Sequence, residues 1–181
     1  MKEKVLHELD LLPEEFIVLV KVNADGFEEA NMRLLSILVN DERLSGSYIT
    51  TNRTYDDLKA LLKHYNVDEK SLFFIDCVSK EIEDPESAPN AVFLPAPNAL
   101  TEIEEIVDEI LKKRQHGFVF LDSINSMMIY NEEKTVLKFL HILSEKLRRF
   151  DVKGIFITVN EESSSGTMDE VAQFCDRVVN L

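Results

Sequence analysis

Gly117-Phe118-Val119-Phe120-Leu121-Asp122-Ser123 begins the stretch of sequence that decides the fold. This apolar run ends in an acid and is followed by a segment whose apolar residues have helical spacing. A second apolar run, Ile155-Phe156-Ile157-Thr158-Val159-Asn160, comes next. Strand, helix and strand in this order form the repeating unit of a parallel sheet. Asp122, at the carboxyl end of the first strand, therefore stands where open α/β sheets bind their ligands.

Three more apolar runs precede this stretch, starting at Phe16, Tyr48 and Leu72. They are apolar on both faces, which is typical of strands in the centre of a parallel sheet. Segments with the pattern of amphipathic helices separate them, and residues 177–181 resemble a terminal edge strand. We therefore predict one three-layer α/β/α domain over residues 1–181, with a mainly parallel sheet of five to six strands.

Two segments fall outside this alternation of strands and helices. Residues 1–12 have helically spaced leucines and predict a packing helix that ends at Pro13. Residues 79–98 hold four of the five prolines and predict a long loop with a short extended piece at 92–94. Long loops in compact domains are usually functional or mobile, so this segment is either a binding loop or a plain surface connection.

Composition narrows the classes of partner. The 181 residues carry 34 acids and 20 bases, a net charge of −14, which disfavours binding to nucleic acid or to an anionic membrane. Cys77 and Cys175 lie in apolar surroundings without metal-ligand spacing, so we expect buried free thiols and no metal site. With no signal peptide or membrane-spanning run, the sequence predicts a cytoplasmic protein.

The order of elements resembles the RecA-like ATPases, and within them the KaiC-like domains common in archaea. The resemblance covers nearly the whole chain and rests on five segments: 8–13 before the first strand, 76–79 at the end of the third, 118–126 as the Walker B strand and turn, and 136–140 and 154–158 after it. It implies a sheet in which the strand at Phe16 lies beside the strand at Phe118. It also implies an oligomer, because RecA-like domains bind nucleotide at subunit boundaries.

The phosphate loop of that family is degenerate in this chain. A P-loop needs glycines, a lysine and a hydroxyl residue to hold phosphates and magnesium. Here Asn23, Ala24, Asp25 and Gly26 follow the first strand, with one glycine and neither a lysine nor a hydroxyl. We expect Asp25 to cap the next helix, whose first turn is also acidic. These acids occupy the helix N-terminus that a phosphate would need.

A second part of the family's site is also altered. KaiC-like ATPases carry catalytic glutamates just after the second strand, where this chain has Thr50-Thr51-Asn52-Arg53-Thr54. Asp122 and Ser123 resemble the Walker B end, although an acid at the end of a strand often only caps the following turn. The sequence therefore predicts no catalytic residue, no cofactor and no ATP hydrolysis, while enzymatic activity of another kind stays open.

We predict a non-catalytic subunit that regulates or scaffolds by protein contact. The resemblance implies either self-association or a catalytic RecA/KaiC-like paralogue as its partner. Candidate contact surfaces are residues 79–98, the helix from Glu28, and the apolar residues 127–130. The last group either forms an exposed patch, as partner sites often do, or packs under the next helix.

The alternative function is binding of a nucleotide or small ligand at the carboxyl edge of the sheet. That edge should comprise Asn23, Ala24, Asn52, Asp76, Ser79, Asp122, Ser123, Asn160 and Glu161. Because it is acidic, we expect a cation or a neutral hydrogen-bonding molecule there rather than a triphosphate. A carboxylate pair of Asp76 and Asp122, on strands that we expect to be adjacent, is a further hypothesis for cation binding.

Overall fold

A parallel sheet of seven strands forms the centre of the described chain. The computed structural model describes residues 14–160 and 165–181, so the predicted helix at 1–12 lies outside the described residues. The strands are β1 (Ile17–Val22), β2 (Gly46–Thr50), β3 (Leu72–Asp76), β4 (Ala91–Phe93), β5 (Phe118–Asp122), β6 (Lys153–Val159) and β7 (Arg177–Asn180). Their order across the sheet is β4-β3-β2-β5-β6-β1-β7, and every pair is parallel.

Helices cover both faces of this sheet. They are α1 (Phe27–Ser36), continued by a π-helical turn at Ile37–Asp41, α2 (Tyr55–His64), α3 (Ser79–Ile82), α4 (Leu100–Lys113), α5 (Ile124–Tyr130), α6 (Glu133–Arg149) and α7 (Ser165–Ala172). The first two pack on one face, and α4 to α7 pack on the other. The predicted α/β class with three layers is confirmed. Within the described residues, no helix has both the length and the apolarity needed to cross a membrane.

Alternate residues of each strand belong to opposite cores, because side chains in a strand point to the two faces in turn. Val18 and Val20 pack with α1 and α2, while Ile17 and Leu19 pack with α6. Both faces are therefore dry, which explains why the strands are apolar at nearly every position. Close packing extends to Gly154, where a Cβ atom would lie 2.7 Å from Ile17 Cδ1 and 2.9 Å from Leu147 Cδ1.

The predicted neighbourhood of the first strand is wrong. Ile155 in β6 pairs with Val18 on one side and with Phe120 on the other, so β6 lies between β1 and β5. The crossover through α5 and α6 returns the chain directly beside β5, as consecutive strands of a strand–helix–strand unit commonly do. β6 thereby occupies the position expected for β1.

A second expected pair of neighbours is also separated. Thr50 at the end of β2 pairs with Asp76 on one side and with Asp122 on the other. The strands of these two acids are therefore not adjacent, and the structure contradicts the basis of the proposed carboxylate pair.

The strand count and the long loop also need correction. Residues 79–98, predicted as a loop with one extended piece, contain α3 and β4. Leu94, just after β4, donates its backbone N–H to the carbonyl of Asp76 over 2.7 Å. The apolar island at 92–94 thus adds a strand to the edge of the sheet. Together with the predicted terminal strand at Arg177–Asn180, this gives seven strands instead of five to six.

Candidate functional site

A cleft of about 560 Å³ lies at the carboxyl edge of the sheet, between the end of β1, the end of β2 and α5. It contains four of the predicted site residues, namely Ala24, Asp25, Asn52 and Ser123. Arg53, Asn125 and Ile129 also line the cleft. The strand ends converge here because every strand of the sheet runs in the same direction.

The phosphate-loop position is a tight turn. A 3-10 helix, Ala24–Gly26, joins β1 to α1, and Gly26 donates its N–H to the carbonyl of Asn23 over 3.0 Å. Phe27 donates its N–H to the carbonyl of Ala24. The prediction that Asp25 caps α1 is wrong, since Gly26 holds that position without a side-chain bond. The 3-10 turn satisfies these two amides through backbone carbonyls.

Ion pairs neutralise the acids of the first helical turn. Glu28 Oε2 lies 3.1 Å from Arg53 Nη2, across the cleft, and Glu29 Oε1 lies 2.8 Å from Arg33 Nε on the same helix. The backbone of Arg53 is held by Thr50, whose Oγ1 accepts its N–H at 3.1 Å and donates to its carbonyl at 2.7 Å. The sequence showed each residue but not the pair, which depends on two segments meeting in space.

Asp122 is buried, with 1% of its surface exposed. Its Oδ2 accepts a hydrogen bond of 2.5 Å from the Tyr48 hydroxyl, and its Oδ1 accepts one of 3.0 Å from Asn52 Nδ2. Burial raises the pKa of Asp122 to about 6, against the opposing effect of these hydrogen bonds. The same burial raises the pKa of Tyr48 well above its ordinary value. Both oxygens of Asp122 are therefore engaged inside the protein.

Asn31 on α1 is a further member of this buried polar group. It is 2% exposed, and a hydrogen bond from its side chain favours the charged form of Asp122. Its own Oδ1 has no hydrogen-bond partner among the described residues. Sequence reasoning missed both Asn31 and Tyr48. Tyr48 precedes Thr50 by two residues and Thr50 pairs with Asp122, so both side chains share a face, but this pairing of strands is not visible in the sequence.

The turn after Asp122 is fixed by Thr51. The Asp122–Ser123 peptide bond is cis. Thr51 Oγ1 accepts the N–H of Ser123 at 2.9 Å and lies 3.1 Å from the carbonyl oxygen of Asp122. Ser123 Oγ accepts the N–H of Ser126 and so caps α5. The contacts of this strand end are thus those of a capped turn.

Asp76 belongs to a separate structural cap. Its Oδ1 accepts the N–H groups of Val78 and Ser79 at 2.7 and 2.8 Å. Its Oδ2 accepts the N–H of Tyr55 at 2.7 Å and the Ser79 hydroxyl at 2.6 Å. Asp76 has no exposed surface. With four donors bound, it joins the starts of α2 and α3 and does not face the cleft.

Asn23 and Asn160, two further predicted edge residues, do not line the cleft. Asn23 and Asn160 are exposed, and Asn160 donates its N–H to the carbonyl of Val22 over 2.8 Å. Glu161 lies outside the described residues. In the part of the chain that the structure describes, no three residues of the types His, Cys, Asp or Glu are grouped to hold a metal ion.

Large apolar side chains are exposed beside the cleft. Ile129 is 80% exposed and Tyr130 43% exposed, whereas Met127 is buried and Met128 is half-buried. Of residues 127–130, predicted as either an exposed patch or a packed segment, the last two are therefore exposed and the first two are packed. Ile82 on α3 is 68% exposed. The Tyr130 hydroxyl donates to Glu81 Oε2 over 3.1 Å, so α3 and α5 are in contact.

Comparison with known proteins gives a family and a similar fold. The model of DUF7090, described as a family of unknown function, matches residues 38–181. The crystal structure of a KaiC-like protein from the hyperthermophilic archaeon Pyrococcus horikoshii OT3 has a similar fold, with a TM-score of 0.68 and 17% sequence identity. The similarity covers 94% of this chain and 72% of that chain. Among curated proteins, none matches the sequence.

Proposed function

The chain belongs to the DUF7090 family, whose function is unknown, and we propose that it is a non-catalytic RecA/KaiC-like domain that acts by protein contact. One observation carries the proposal. At the edge where a RecA-like ATPase would bind nucleotide, Arg53 is paired with Glu28, Asp122 is buried and bonded by Tyr48, and the large apolar side chain of Ile129 is exposed. The chain is therefore a regulatory or scaffold subunit with a degenerate phosphate loop.

Electrostatics argues against a triphosphate in the cleft. A phosphate would lie near Asp25 and Glu28, and Arg53, the cation in the cleft lining, is paired with Glu28. A phosphate would also need free amides at a helix N-terminus, and the 3-10 turn already uses those of Gly26 and Phe27. Repulsion between like charges at close range costs several kcal/mol at an effective dielectric constant of about 20.

The exposed apolar residues support a contact function. Ile82, Ile129 and Tyr130 are the large apolar side chains exposed among the described residues, and all three are on the short helices α3 and α5. The two helices are in contact through Tyr130 and Glu81, and exposed apolar surface often marks partner sites. The partner is either a second copy of the chain or a catalytic RecA/KaiC-like paralogue, as RecA-like domains generally work in oligomers.

Nucleotide chemistry is tested with the purified chain. We expect no heat of binding for Mg-ATP in calorimetry, and phosphate release equal to a protein-free blank. Hydrolysis that is abolished by Asp122→Asn but retained by the surface variant Asp25→Asn would overturn the non-catalytic assignment.

Contact is tested with a matched pair of variants on the tagged chain in its native host. Ile129→Asp places a charge on the apolar surface, and Ala60→Asp places the same charge on an exposed position of α2. We expect the bound partner, or the second copy seen in light scattering, to be lost with the first variant and kept with the second. A strict monomer without a partner, or equal loss with both variants, would contradict the proposal.

The cleft itself favours a second candidate, binding of a neutral small molecule. Its volume of about 560 Å³ lies in the range of ligand pockets, and Asn52 and Asn125 supply hydrogen-bonding groups beside Phe27. A thermal-shift screen of nucleosides and small amides tests this function. A ligand at 100 times its Kd should add about 2.7 kcal/mol to the free energy of unfolding, and Asn52→Ala should remove the effect.

A further inference from the structure

We propose that the partner docks on this edge through a basic, amphipathic segment of its chain. The apolar side chains of that segment would cover an apolar patch, which we define as Ile82, Ile129 and Tyr130. Its lysines or arginines would enter an acidic groove, which we define as the groove between α2 and residues 83–89. The inference rests on the proposed function, because it names the chemistry of the partner that the contact requires.

The apolar patch is built on two helices held together. The bond from the Tyr130 hydroxyl to Glu81, the residue before Ile82, brings α5 and α3 into contact. Ile129 also lines the cleft at the carboxyl edge. Covering Ile82 and Ile129 would remove apolar surface from water, which favours association.

The acidic groove starts where the apolar patch ends. Its volume is about 560 Å³, and its lining includes four carboxylates, those of Asp56, Glu83, Asp84 and Glu86. Lys59 is the only cation in this lining, and its Nζ already lies 3.2 Å from Asp56 Oδ1. Ile82 directly precedes Glu83 in the chain, so a single bound segment can reach both the patch and the groove.

Three of these carboxylates are available to a partner. Glu83, Asp84 and Glu86 are exposed, and none of them pairs with a lysine or arginine within residues 14–160 and 165–181. Residues 79–86 carry four acids against one base, Lys80. The charge next to the apolar patch is therefore strongly negative and uncompensated, and complementary charge across an interface speeds association and rejects wrong partners.

This charge selects one class of occupant. A second copy of the chain would bring a net charge of −14 against the same sign, and like charges at an interface oppose association. Nucleic acid and anionic lipid are excluded by the same repulsion. A helix with lysines or arginines flanking an apolar stripe satisfies both parts of the surface, since amphipathic helices bind grooves through spaced apolar anchors.

The test uses the full chain and a fluorescein-labelled helical peptide of leucine and lysine with one leucine stripe. Fluorescence anisotropy should show binding of this peptide and not of its twin in which glutamate replaces lysine. The triple variant Glu83→Gln, Asp84→Asn, Glu86→Gln should weaken binding at least about tenfold, equivalent to 1.4 kcal/mol. Ile129→Ser should also weaken it several-fold.

The matched control separates a specific groove from general charge. Glu102→Gln, Glu105→Gln and Glu109→Gln on the exposed face of α4 remove the same number of charges, and we expect them to change the Kd less than about twofold. Thermal melts confirm that all variants fold, as substitutions at exposed positions should allow. Equal weakening by both triple variants, no binding of the lysine peptide, or equal binding of the glutamate peptide would overturn the inference.

Failure of this inference is distinguishable from failure of the proposed function. Turnover of Mg-ATP would end the non-catalytic assignment whatever the peptide does. Suppose that the peptide does not bind, that ATP is not hydrolysed, and that Ile129→Asp still abolishes binding of the partner. The proposed contact function would then stand, and only the basic segment of the partner would be ruled out. Dimerisation of the wild-type chain that Ile129→Ser abolishes would assign the apolar patch to a second copy and would likewise overturn the inference.

Discussion

Asp122 couples a single proton to the stability of the whole fold. The carboxyl group is buried beside Tyr48 and Asn52, and its folded-state pKa of about 6 stands above the ordinary value of 3.8. The folded chain therefore binds this proton more tightly than the unfolded chain does. Its stabilising contribution is complete below pH of about 4 and is lost as the pH rises through about 6, and the two pKa values correspond to roughly 3 kcal/mol.

Asp122→Asn should remove this pH dependence. The amide has the shape of the carboxyl group and carries no charge at any pH, so the variant escapes the cost of burying an anion. Relative to the wild type, we expect its free energy of unfolding to rise by roughly 3 kcal/mol between pH 4 and neutral pH, offset at every pH by about 1–3 kcal/mol because the NH₂ group that replaces one oxygen faces a hydrogen-bond donor. Urea unfolding across this pH range measures the difference, with the exposed Asp25→Asn as a control. A difference that does not vary with pH would contradict the assignment.

At the scale of elements, the carboxylate of Asp76 joins two helices to the end of one strand. It accepts the backbone N–H of Tyr55 at the start of α2 and the N–H groups of Val78 and Ser79 at the start of α3. Such bonds satisfy amides that a helix start otherwise leaves open. The positions of α2 and α3, and so of Ile82, depend on this one side chain.

Asp76→Asn should therefore destabilise the fold by roughly 2–4 kcal/mol. One oxygen becomes an NH₂ group that faces donors, and a buried donor left without an acceptor costs about 1–3 kcal/mol. Asp68→Asn is the matched control, because Asp68 caps the 3-10 helix Glu69–Ser71 from an exposed position. It should cost less than about 1 kcal/mol in the same chemical denaturation experiment. Similar losses for the two variants would show that Asp76 is not the key cap.

The strands could be predicted from the sequence, but their order could not. Apolar runs report burial on both faces, and for this reason the strands near Phe16, Leu72 and Phe118 were found. Periodicity carries no information on which buried strand lies beside which, so β6 took the place expected for β1. The prediction that Asp25 caps α1 is wrong for a local reason. A 3-10 turn bonds the amides that the Asp25 side chain would need to backbone carbonyls instead.

The sequence identified candidate site residues only where they closely follow the end of a strand. Ala24, Asp25, Asn52 and Ser123 follow strand ends and line one cleft. We predicted Asp76 at the edge because it ends a strand. Its side chain instead accepts hydrogen bonds from Val78 and Ser79, which directly follow the strand. Glu28 and Arg53 are 25 positions apart in the sequence, and Tyr48 and Asp122 are 74 positions apart. Such pairs become visible only once the sheet is assembled.

At the scale of the whole molecule, excess negative charge opposes the compact state. The chain carries a net charge of −14, and several of its ion pairs, such as Arg148–Glu145, lie at exposed positions where each contributes little. Self-repulsion of an unbalanced charge destabilises a folded chain and is screened by salt. Raising the ionic strength should therefore stabilise this protein, opposite to what a fold held by surface ion pairs would show.

We expect added NaCl, up to physiological ionic strength, to increase the free energy of unfolding by about 1 kcal/mol, or roughly 3 °C in Tm for a domain of this size. MgCl₂ at equal ionic strength should add only a small further shift, because the oxygens of Asp122 and Asp76 are bonded to protein donors. Differential scanning calorimetry in the two salts makes the comparison.

A Tm that falls with salt would contradict the role of net charge. A large extra shift with Mg²⁺ that Asp122→Asn removes would show that the strand end still binds a metal ion, and the predicted absence of a metal site would then be wrong.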